Sequence, residues 1–407
     1  MKCRFCQKDI QTEFIDLINS PASNSYLNQE QLNEPETYFP LKVYVCEQCF
    51  LVQVDEYKKF DSIFDNNYAY FSSFSSSWLA HCSNYVEKMI TELELNEQSQ
   101  VVEIASNDGY LLQYFLPHHI KVLGIEPTKN TADVAILKGI PCITEFFGEK
   151  LALDLLQKGI KADLLIGNNV LAHVPNINDF VLGLKLLLNT QGTITMEFPH
   201  LIELVENSQF DTIYHEHFSY LSLYAAKQIF EKVGLKITKV DVLPTHGGSI
   251  RLYATHQENA VAIHASVEEV LANEIAKGIN QLDYYKGFQE KALRIKLDVL
   301  SFLIEQKNLG HKVVAYGAAA KGNTLLNYCG VKNDLVEFVV DANPNKQNKY
   351  MPASHIPIVN EEQLKLAKPD FVLILPWNLK HEIVKQLSYI QEWGGRFVIP
   401  IPKLEII

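Results

Sequence analysis

Two Cys-x-x-Cys pairs near the start, an alternation of apolar runs with helical stretches from residue 99, and a second such alternation opening at His311 predict an α/β chain. The expected order is a small metal-stapled module over residues 1–75, a parallel-sheet domain over 76–264, and a helical connector with a second parallel-sheet domain over 265–407. A length of 407 residues, at roughly 150 per domain, suits two or three domains, and 47% hydrophobic residues suffice for ordinary cores. The net charge of −12, with no Lys/Arg-rich run, argues against a nucleic-acid partner. The first residues lack an apolar core of signal-peptide length, and no stretch of about 18 apolar residues occurs, so a cytoplasmic protein with no membrane partner is expected.

Cys3, Cys6, Cys46 and Cys49 form the two pairs. Each pair can sit on a tight knuckle, and two knuckles supply the four soft ligands of a closed tetrahedral zinc site. Such a site is structural, because four cysteines leave no position for substrate. A pair of redox motifs is the alternative, but neither pair stands at a strand-to-helix turn. Cys82, Cys142 and Cys329 stand alone and are expected to be packed. Between the pairs lies a polar loop around Pro21 to Pro40, and Val43-Tyr-Val-Cys46 alternates like a strand. The segment Tyr68 to Trp78 is either a linker or a flap whose hydroxyls, on Tyr68, Tyr70 and Ser72, reach a ligand.

In the middle of the chain, Gln100 to Ala105 is a buried strand, Tyr110 to Leu116 a helix and Lys121 to Glu126 a second strand. Asp163 to Asn169 is another strand, Ile177 to Asn189 a helix, and Gly192 to Phe198 the next strand. Ser222 can cap a helix that stops at Val233-Gly234. Leu235 to Val242, a turn at Thr245-His-Gly-Gly248, and Ser249 to Thr255 form an antiparallel hairpin. A parallel sheet closed by such a hairpin is the Rossmann-like plan of class I methyltransferases. Ligands bind beyond the carboxyl ends of such strands, here Ala105-Ser-Asn-Asp-Gly109, Glu126, Asn168-Asn169 and Glu197-Phe-Pro-His200. Glu126 can accept both ribose hydroxyls of an adenosine, a feature that serves NAD equally. The loop opened by Glu103 lacks the paired glycines of a dinucleotide fingerprint and keeps only Gly109. That favours S-adenosylmethionine, which carries no phosphate; Glu103, Ala105, Asn107, Asp108 and Gly109 of this loop, with Glu126, Pro127, Asn168 and Asn169, are its expected binding residues, with Asn107 or Asp108 on its amino-acid end.

Residues 265 to 308 have helical spacing. His311 to Thr324 follows as strand, small-residue turn and helix start, where backbone N–H groups can meet a phosphate and Lys321 adds charge. Leu335 to Asp341 is the following strand, and Pro369 to Asn378 a further one whose polar end faces the same cleft. This second unit supports a rival function, an NAD-dependent nucleotide-sugar reductase or epimerase, with Gly317 as the fingerprint glycine and Asp341 on the ribose. Gly317-Ala-Ala-Ala-Lys-Gly322 does not space its glycines for that task, and the rival leaves the first sheet idle. A noncatalytic sugar-nucleotide sensor is a third class, but it has no need of the cluster at Asp211 to Ser222, which holds two imidazoles, two carboxylates and two phenols.

These motifs, with Gly124-Ile-Glu-Pro127-Thr, Asn169-Val-Leu-Ala-His173-Val-Pro, Tyr214-His-Glu-His217, Thr245-His246-Gly247-Gly-Ser and Tyr316 to Asn323, resemble the bacterial sugar C-methyltransferases that act on nucleotide-linked keto-deoxysugars. The resemblance spans nearly the whole chain. It implies a monomer of three domains: a zinc module, a methyltransferase domain, and a Rossmann-like domain that helps hold the nucleotide, dTDP foremost and GDP second. Methylating a sugar carbon requires an enolate, hence a base beside a keto group. Histidine suits that task with a pKa near 6.5. Alternation would put His215 and His217 on one face, Tyr214 and Glu216 on the other, whereas a turn could converge three of them. The resemblance favours His217 as base, with Tyr214 and Glu216 nearby; Glu216 can orient the imidazole or bind sugar, Tyr214 can donate to the enolate oxygen, His215 completes the cluster, and His173, just past a strand end, either positions substrate or satisfies a loop carbonyl. The resemblance also implies substrate contacts at His246, Gly247 and Asn323, while Asn378 is a candidate contact as the polar end of the Pro369 strand.

Overall fold

The computed structural model describes residues 1–57 and 70–407. The chain opens with β1 (Glu13–Ser20), β2 (Phe39–Val45) and β3 (Val52–Val54), paired antiparallel in that order. Alternation in β2 buries Leu41, Val43 and Val45 and turns Lys42 and Tyr44 outward. Strand β1 was not expected, because register shifts on either side of Ile15 and Asp16 break its period of two and Ile18 takes a positive φ of 66°.

Helix α1 (Ser76–Glu92) follows, its N-terminus capped by the Ser75 hydroxyl and its buried face made of Trp78, Cys82, Tyr85, Val86 and Met89. The central sheet then runs through β4 (Gln100–Ile104), β5 (Lys121–Ile125), α2 (Lys129–Leu137), β6 (Cys142–Ile143), α3 (Glu149–Gln157), β7 (Ala162–Asn168), α4 (Ile177–Leu187) and β8 (Leu188–Pro199). The helix expected over Tyr110 to Leu116 is instead two 3₁₀ turns, Leu112–Tyr114 and Leu116–His118. Gly109 at φ 74° and Pro117 bound a stretch too short for α-helical turns to propagate. After α5 (Leu201–Glu206) the chain passes through the histidine cluster into β9 (Ser219–Tyr220), which pairs antiparallel with β3, so the N-terminal sheet reads β1-β2-β3-β9. Ser222 caps α6 (Leu223–Lys232) through the Ala225 N–H, as expected. Strands β10 (Leu235–Leu243) and β11 (Ser249–His256) form the hairpin and complete the order β10-β11-β8-β7-β4-β5-β6, with β11 antiparallel to β8.

Helices α7 (Ala265–Lys277) and α8 (Phe288–Asn308) lead into β12 (Val313–Tyr316), α9 (Ala320–Cys329), β13 (Val339–Val340), β14 (Ile358–Val359), α10 (Glu361–Ala367), β15 (Phe371–Ile374), α11 (Lys380–Gln386), β16 (Arg396–Ile399) and β17 (Glu405–Ile406). The sheet order is β14-β13-β12-β15-β16-β17, parallel except for β17. The strand expected over Leu335 to Asp341 is regular only at Val339–Val340; its start is lost because the Leu335 and Val336 N–H groups turn back to the Lys332 carbonyl.

The N-terminal module shares its core with both neighbours. Cys3, Phe5, Cys46 and Leu51 pack with α3, α4 and α6, while Phe14, Leu41 and Val43 belong to the apolar core that continues through α8 into the C-terminal sheet. Each fully buried side chain of this kind contributes about 1.5–3 kcal/mol, so the module is welded in rather than appended.

Candidate active site and metal centre

The Sγ atoms of Cys3, Cys6, Cys46 and Cys49 all lie within 4.8 Å of one another. The close contacts run across the pairs, Cys3 to Cys49 at 3.6 Å and Cys6 to Cys46 at 3.5 Å. A tetrahedron with Zn–S bonds of about 2.3 Å needs S···S separations of about 3.8 Å, so the four thiols fit one zinc ion. Cross-pair contact is also what a single four-point centre requires and two separate redox pairs do not. The Gln53 amide donates to Cys3 Sγ at 3.3 Å, a polar contact that suits a thiolate.

A cavity of about 530 Å³ opens beyond the carboxyl ends of β4, β5 and β7 and is closed by the N-terminal loop and by the C-terminal domain. At the sheet, its wall includes Ala105, Asn107, Glu126, Pro127, Asn168 and Asn169. Ala105, Asn107 and Asn169 all have positive φ, a conformation that is costly for these residues and concentrated at functional loops. Glu126 organises this wall: its carboxylate accepts the Asn107 N–H at 2.9 Å and the Thr128 N–H at 2.8 Å, and burial pushes its pKa up. Asn169 Oδ1 is buried without a hydrogen-bond partner among the described residues, an acceptor suited to a ligand's donor. The strand-end wall therefore fits an adenosyl ligand bearing an ammonium group.

Three residues assigned to the cofactor do not line the cavity. Glu103 is fully buried beside Tyr110, with burial raising its pKa well above the ordinary range. Asp108 accepts the Ser73 N–H at 3.3 Å. Gly109 packs against Ala135 of α2 and Ile140 just beyond it, where a Cβ would lie 3.1 and 2.5 Å away. The aromatic and serine segment is tied to this loop, since Asn107 accepts the Ser72 N–H at 2.9 Å and donates to the Tyr70 carbonyl at 3.2 Å. Tyr70 and Ser72 line the cavity, while Tyr68 lies outside the described residues.

The histidine cluster forms the floor. The His217 N–H bonds to the Tyr214 carbonyl at 2.9 Å, closing a turn that converges Tyr214, Glu216 and His217 on the cavity. His215 is turned the other way, bonded at 3.1 Å to the Pro40 carbonyl and packed edge-on against Phe39. Strict alternation therefore does not hold here. His217 Nδ1 lies 2.8 Å from the Thr212 carbonyl, which can only accept, so Nδ1 carries the proton and Nε2 keeps its lone pair. Burial, then the neighbouring His173 and Lys321, hold the His217 pKa well below 6.5. The His217 ring lies 4.0 Å from that of Tyr214 and 4.6 Å, edge-on, from that of His173. His173 lines the cavity with its pKa pushed down to about 4 by burial, and Tyr214 is held far above 10 by the same cause. Both Glu216 oxygens accept from the Asn24 amide, at 2.8 and 2.9 Å, a partner from the loop between the cysteine pairs.

The opposite wall is the N-terminus of α9, with Ala319, Ala320 and Lys321, joined by Lys346. Lys321 donates to Asn378 Oδ1 at 2.8 Å and lies over the Trp377 ring, and burial lowers its pKa. Lys346 donates to the Ala318 carbonyl at 2.8 Å, 3.9 Å from Asp341; burial opposes its charge, but Tyr26 and Asp341 outweigh it and raise the pKa. Asp341 accepts the Ala318 N–H at 2.7 Å and the Asn343 N–H at 2.8 Å, and a Cβ on Gly317 would meet Pro376 at 2.4 Å. The acid and the glycine of the NAD reading are thus engaged within the protein. Asn323 and Asn378 do not line the cavity either: Asn323 holds the Ser23 carbonyl at 2.6 Å and Asn378 holds Lys321. Gly247 packs against Trp377, where a Cβ would lie 2.5 Å away.

His246, at φ 56°, does face the cavity, edge-on to Trp78 at 5.0 Å, and burial pushes its pKa down to about 4. Behind it, Glu197 is fully buried and accepts from Arg251, from Thr245 at 2.7 Å and from His81 at 2.9 Å. Burial opposes the Glu197 charge, yet these partners hold its pKa down to about 2. Asn24, Trp78 and Lys346 were not foreseen. Trp78 stands at helical spacing on α1, but nothing local marks Asn24 or Lys346.

Three family models match consecutive parts of the chain: a zinc binding domain over residues 3–64, a methyltransferase domain over 78–240, and a C-methyltransferase C-terminal domain over 244–402. The C-methyltransferase NovU of Streptomyces niveus is 33% identical over 406 residues, covering 100% of this chain and 96% of NovU. Among solved structures, an S-adenosylmethionine-dependent methyltransferase from Clostridium acetobutylicum is 11% identical, covers 43% of this chain and 90% of its own, and has a TM-score of 0.35. Magnesium protoporphyrin IX methyltransferase from Synechocystis, with bound SAM, is 16% identical, covers 44% and 81%, and has a TM-score of 0.33.

Proposed function

This chain belongs to the zinc-module C-methyltransferases, enzymes dependent on S-adenosylmethionine, and on that premise we propose that its substrate is a nucleotide-linked keto-deoxysugar methylated on carbon. The observation that carries the reading is His217, held with Nδ1 on a carbonyl so that its basic nitrogen is kept for the cavity, between the strand-end wall and a cationic helix N-terminus. A keto sugar needs the base, and a nucleotide diphosphate needs the cations. The first N–H groups of α9, with Lys321 and Lys346, are the kind of site that holds a diphosphate. A dTDP sugar is the first candidate and a GDP sugar the second.

Adenosylmethionine, when bound, supplies an electrophilic methyl group. Glu126 would accept its ribose hydroxyls while keeping the Asn107 loop in place, and Asn107, Asn168 and Asn169 would meet its amino-acid end. On the substrate side, His217 Nε2 takes the proton beside the keto group. The Tyr214 hydroxyl, fully protonated at neutral pH, donates to the oxygen on which negative charge develops. Glu216, fixed by Asn24, binds a sugar hydroxyl, and His173 and His246 pack the sugar from either side. Holding both ligands in one enclosed cavity supplies much of the rate.

The test is incubation of the pure protein with adenosylmethionine and a panel of dTDP- and GDP-linked 4-keto-deoxysugars, followed by mass spectrometry for one added methyl on the sugar. Solvent deuterium should enter the carbon beside the keto group in the presence of wild-type enzyme and not of His217→Asn. Full turnover by His217→Asn on an accepted substrate would refute the assignment of the base, and no methylation across the panel would refute the substrate class.

A further inference from the structure

The residue after the first zinc-knuckle cysteine reaches through the protein to the two histidine-bearing loops. Arg4 donates through Nη1 to the Pro175 carbonyl at 2.8 Å and through Nη2 to the Val54 carbonyl, and its guanidinium lies 5.3 Å from the centroid of the Phe218 ring. Pro175 ends the cavity loop that carries His173, and Phe218 directly follows His217. The Arg4 N–H is held in turn by Gln53 Oε1 at 2.9 Å, and the same Gln53 side chain donates to Cys3 Sγ.

The knuckle is anchored from the other side as well. Asn178, in the first turn of α4, donates to the Arg4 carbonyl at 3.1 Å and the Phe5 carbonyl at 2.9 Å, and Lys232 at the end of α6 donates to the Phe5 carbonyl at 3.2 Å. The Val54 N–H bonds the Phe218 carbonyl at 3.2 Å, and β9 is the fourth strand of the module's sheet. A five-donor planar fork seated on two carbonyls and an aromatic face fixes orientation in a way a lysine cannot.

We infer that Arg4 is a positioning residue through which the zinc knuckle sets the placement of His217 and His173. The zinc knuckle then acts on the catalytic residues through Arg4, which does not itself line the cavity. This rests on the proposal that those histidines face the reacting sugar, and the test separates the two.

Arg4→Ala and Arg4→Lys are compared with wild type in zinc content, in adenosylmethionine affinity by calorimetry, in amide hydrogen exchange of residues 170–176 and 212–220, and in turnover. Both variants should keep one zinc per chain and wild-type adenosylmethionine affinity, while exchange accelerates in those two segments. On an accepted substrate kcat should fall about 10- to 100-fold, the scale of a displacement near 1 Å, with the lysine variant between alanine and wild type. The exchange readout needs no substrate, so it stands even if the sugar reading fails. Unchanged exchange in both segments, or unchanged kcat, with zinc retained would overturn the inference. Loss of zinc in both variants would overturn it too, because Arg4 would then belong to the metal fold.

Discussion

Replacing Asn24 by alanine removes both hydrogen bonds that fix the Glu216 carboxylate, at 2.8 and 2.9 Å, without touching the cofactor wall or the histidines. A hydrogen bond to a charged group is worth about 1.5–3 kcal/mol, and one amide shared by two oxygens of the same carboxylate belongs near the low end. About 2 kcal/mol expressed in the transition state lowers kcat/KM for the sugar substrate roughly 30-fold. Asn24→Asp is the sharper change. Two ionised carboxylates about 3 Å apart at an effective dielectric of about 20 repel by about 5 kcal/mol, so the pair must bind a proton at neutral pH or separate. The aspartate variant should therefore be less active than the alanine variant at pH 8 and recover part of the difference as the pH is lowered. The assay is steady-state turnover against varied substrate, with adenosylmethionine affinity measured separately as a control on folding. Alanine and aspartate variants within twofold of wild type in kcat/KM, or losses that track weakened adenosylmethionine binding, would refute the role given to the loop between the cysteine pairs.

Glu197→Gln keeps the shape of a fully buried side chain but leaves Arg251 without its counter-charge, which should cost about 3–5 kcal/mol in urea unfolding; a change below about 1 kcal/mol would show that the cation finds another partner. Glu126→Ala releases the Asn107 and Thr128 N–H groups and should weaken adenosylmethionine binding by about tenfold or more in calorimetry, with unchanged affinity marking the carboxylate as dispensable. In the free enzyme the His217 pKa lies well below 6.5, so the neutral, basic form persists as pH falls through 6.5. The kcat/KM at pH 6 should stay near its pH 7.5 value, where an ordinary histidine would have lost roughly three-quarters of its neutral form, and a midpoint at or above 6.5 would contradict that depression.

What the sequence revealed and what it hid divide along a physical line. Features encoded by spacing along the chain were legible: the two cysteine pairs, the strand ends at Ala105, Glu126 and Asn168, the Ser222 cap, and the hairpin turn at Thr245. Features made by closure in space were not. The hydrogen bond from His217 to Tyr214, rather than a period of two, decides that Glu216 faces the cavity and His215 does not. Asn24 and Lys346 lie far from the cluster in sequence and carry no local signal, since an asparagine in a polar loop and a lysine after a strand are ordinary. Glu103 and Gly109 are the converse case, motif positions that lie off the cavity wall and in packing: one acid sits beside Tyr110, and one glycine lets α2 come close.

A histidine whose pKa is pushed down is a poor base until something restores it, and the causes of the depression indicate what does. Burial is the largest, followed by His173, with the Lys321 cation also opposing a second proton on His217. Lys321 stands at the N-terminus of α9, where the proposed diphosphate would bind. A bound anion would offset that cation, and an enolate forming beside the ring would offset the imidazolium directly, so both changes raise the basicity of His217 when substrate is present. The sign is fixed: negative charge near the ring favours its protonated form and lifts its pKa. The acid limb of kcat, which reports the substrate complex, should therefore lie at higher pH than the acid limb of kcat/KM, which reports the free enzyme. Lys321→Gln should narrow the gap by raising the free-enzyme limb while weakening substrate binding. Coincident limbs in the wild type would mean that the cation acts on the nucleotide alone and that the base is not tuned by the substrate it serves.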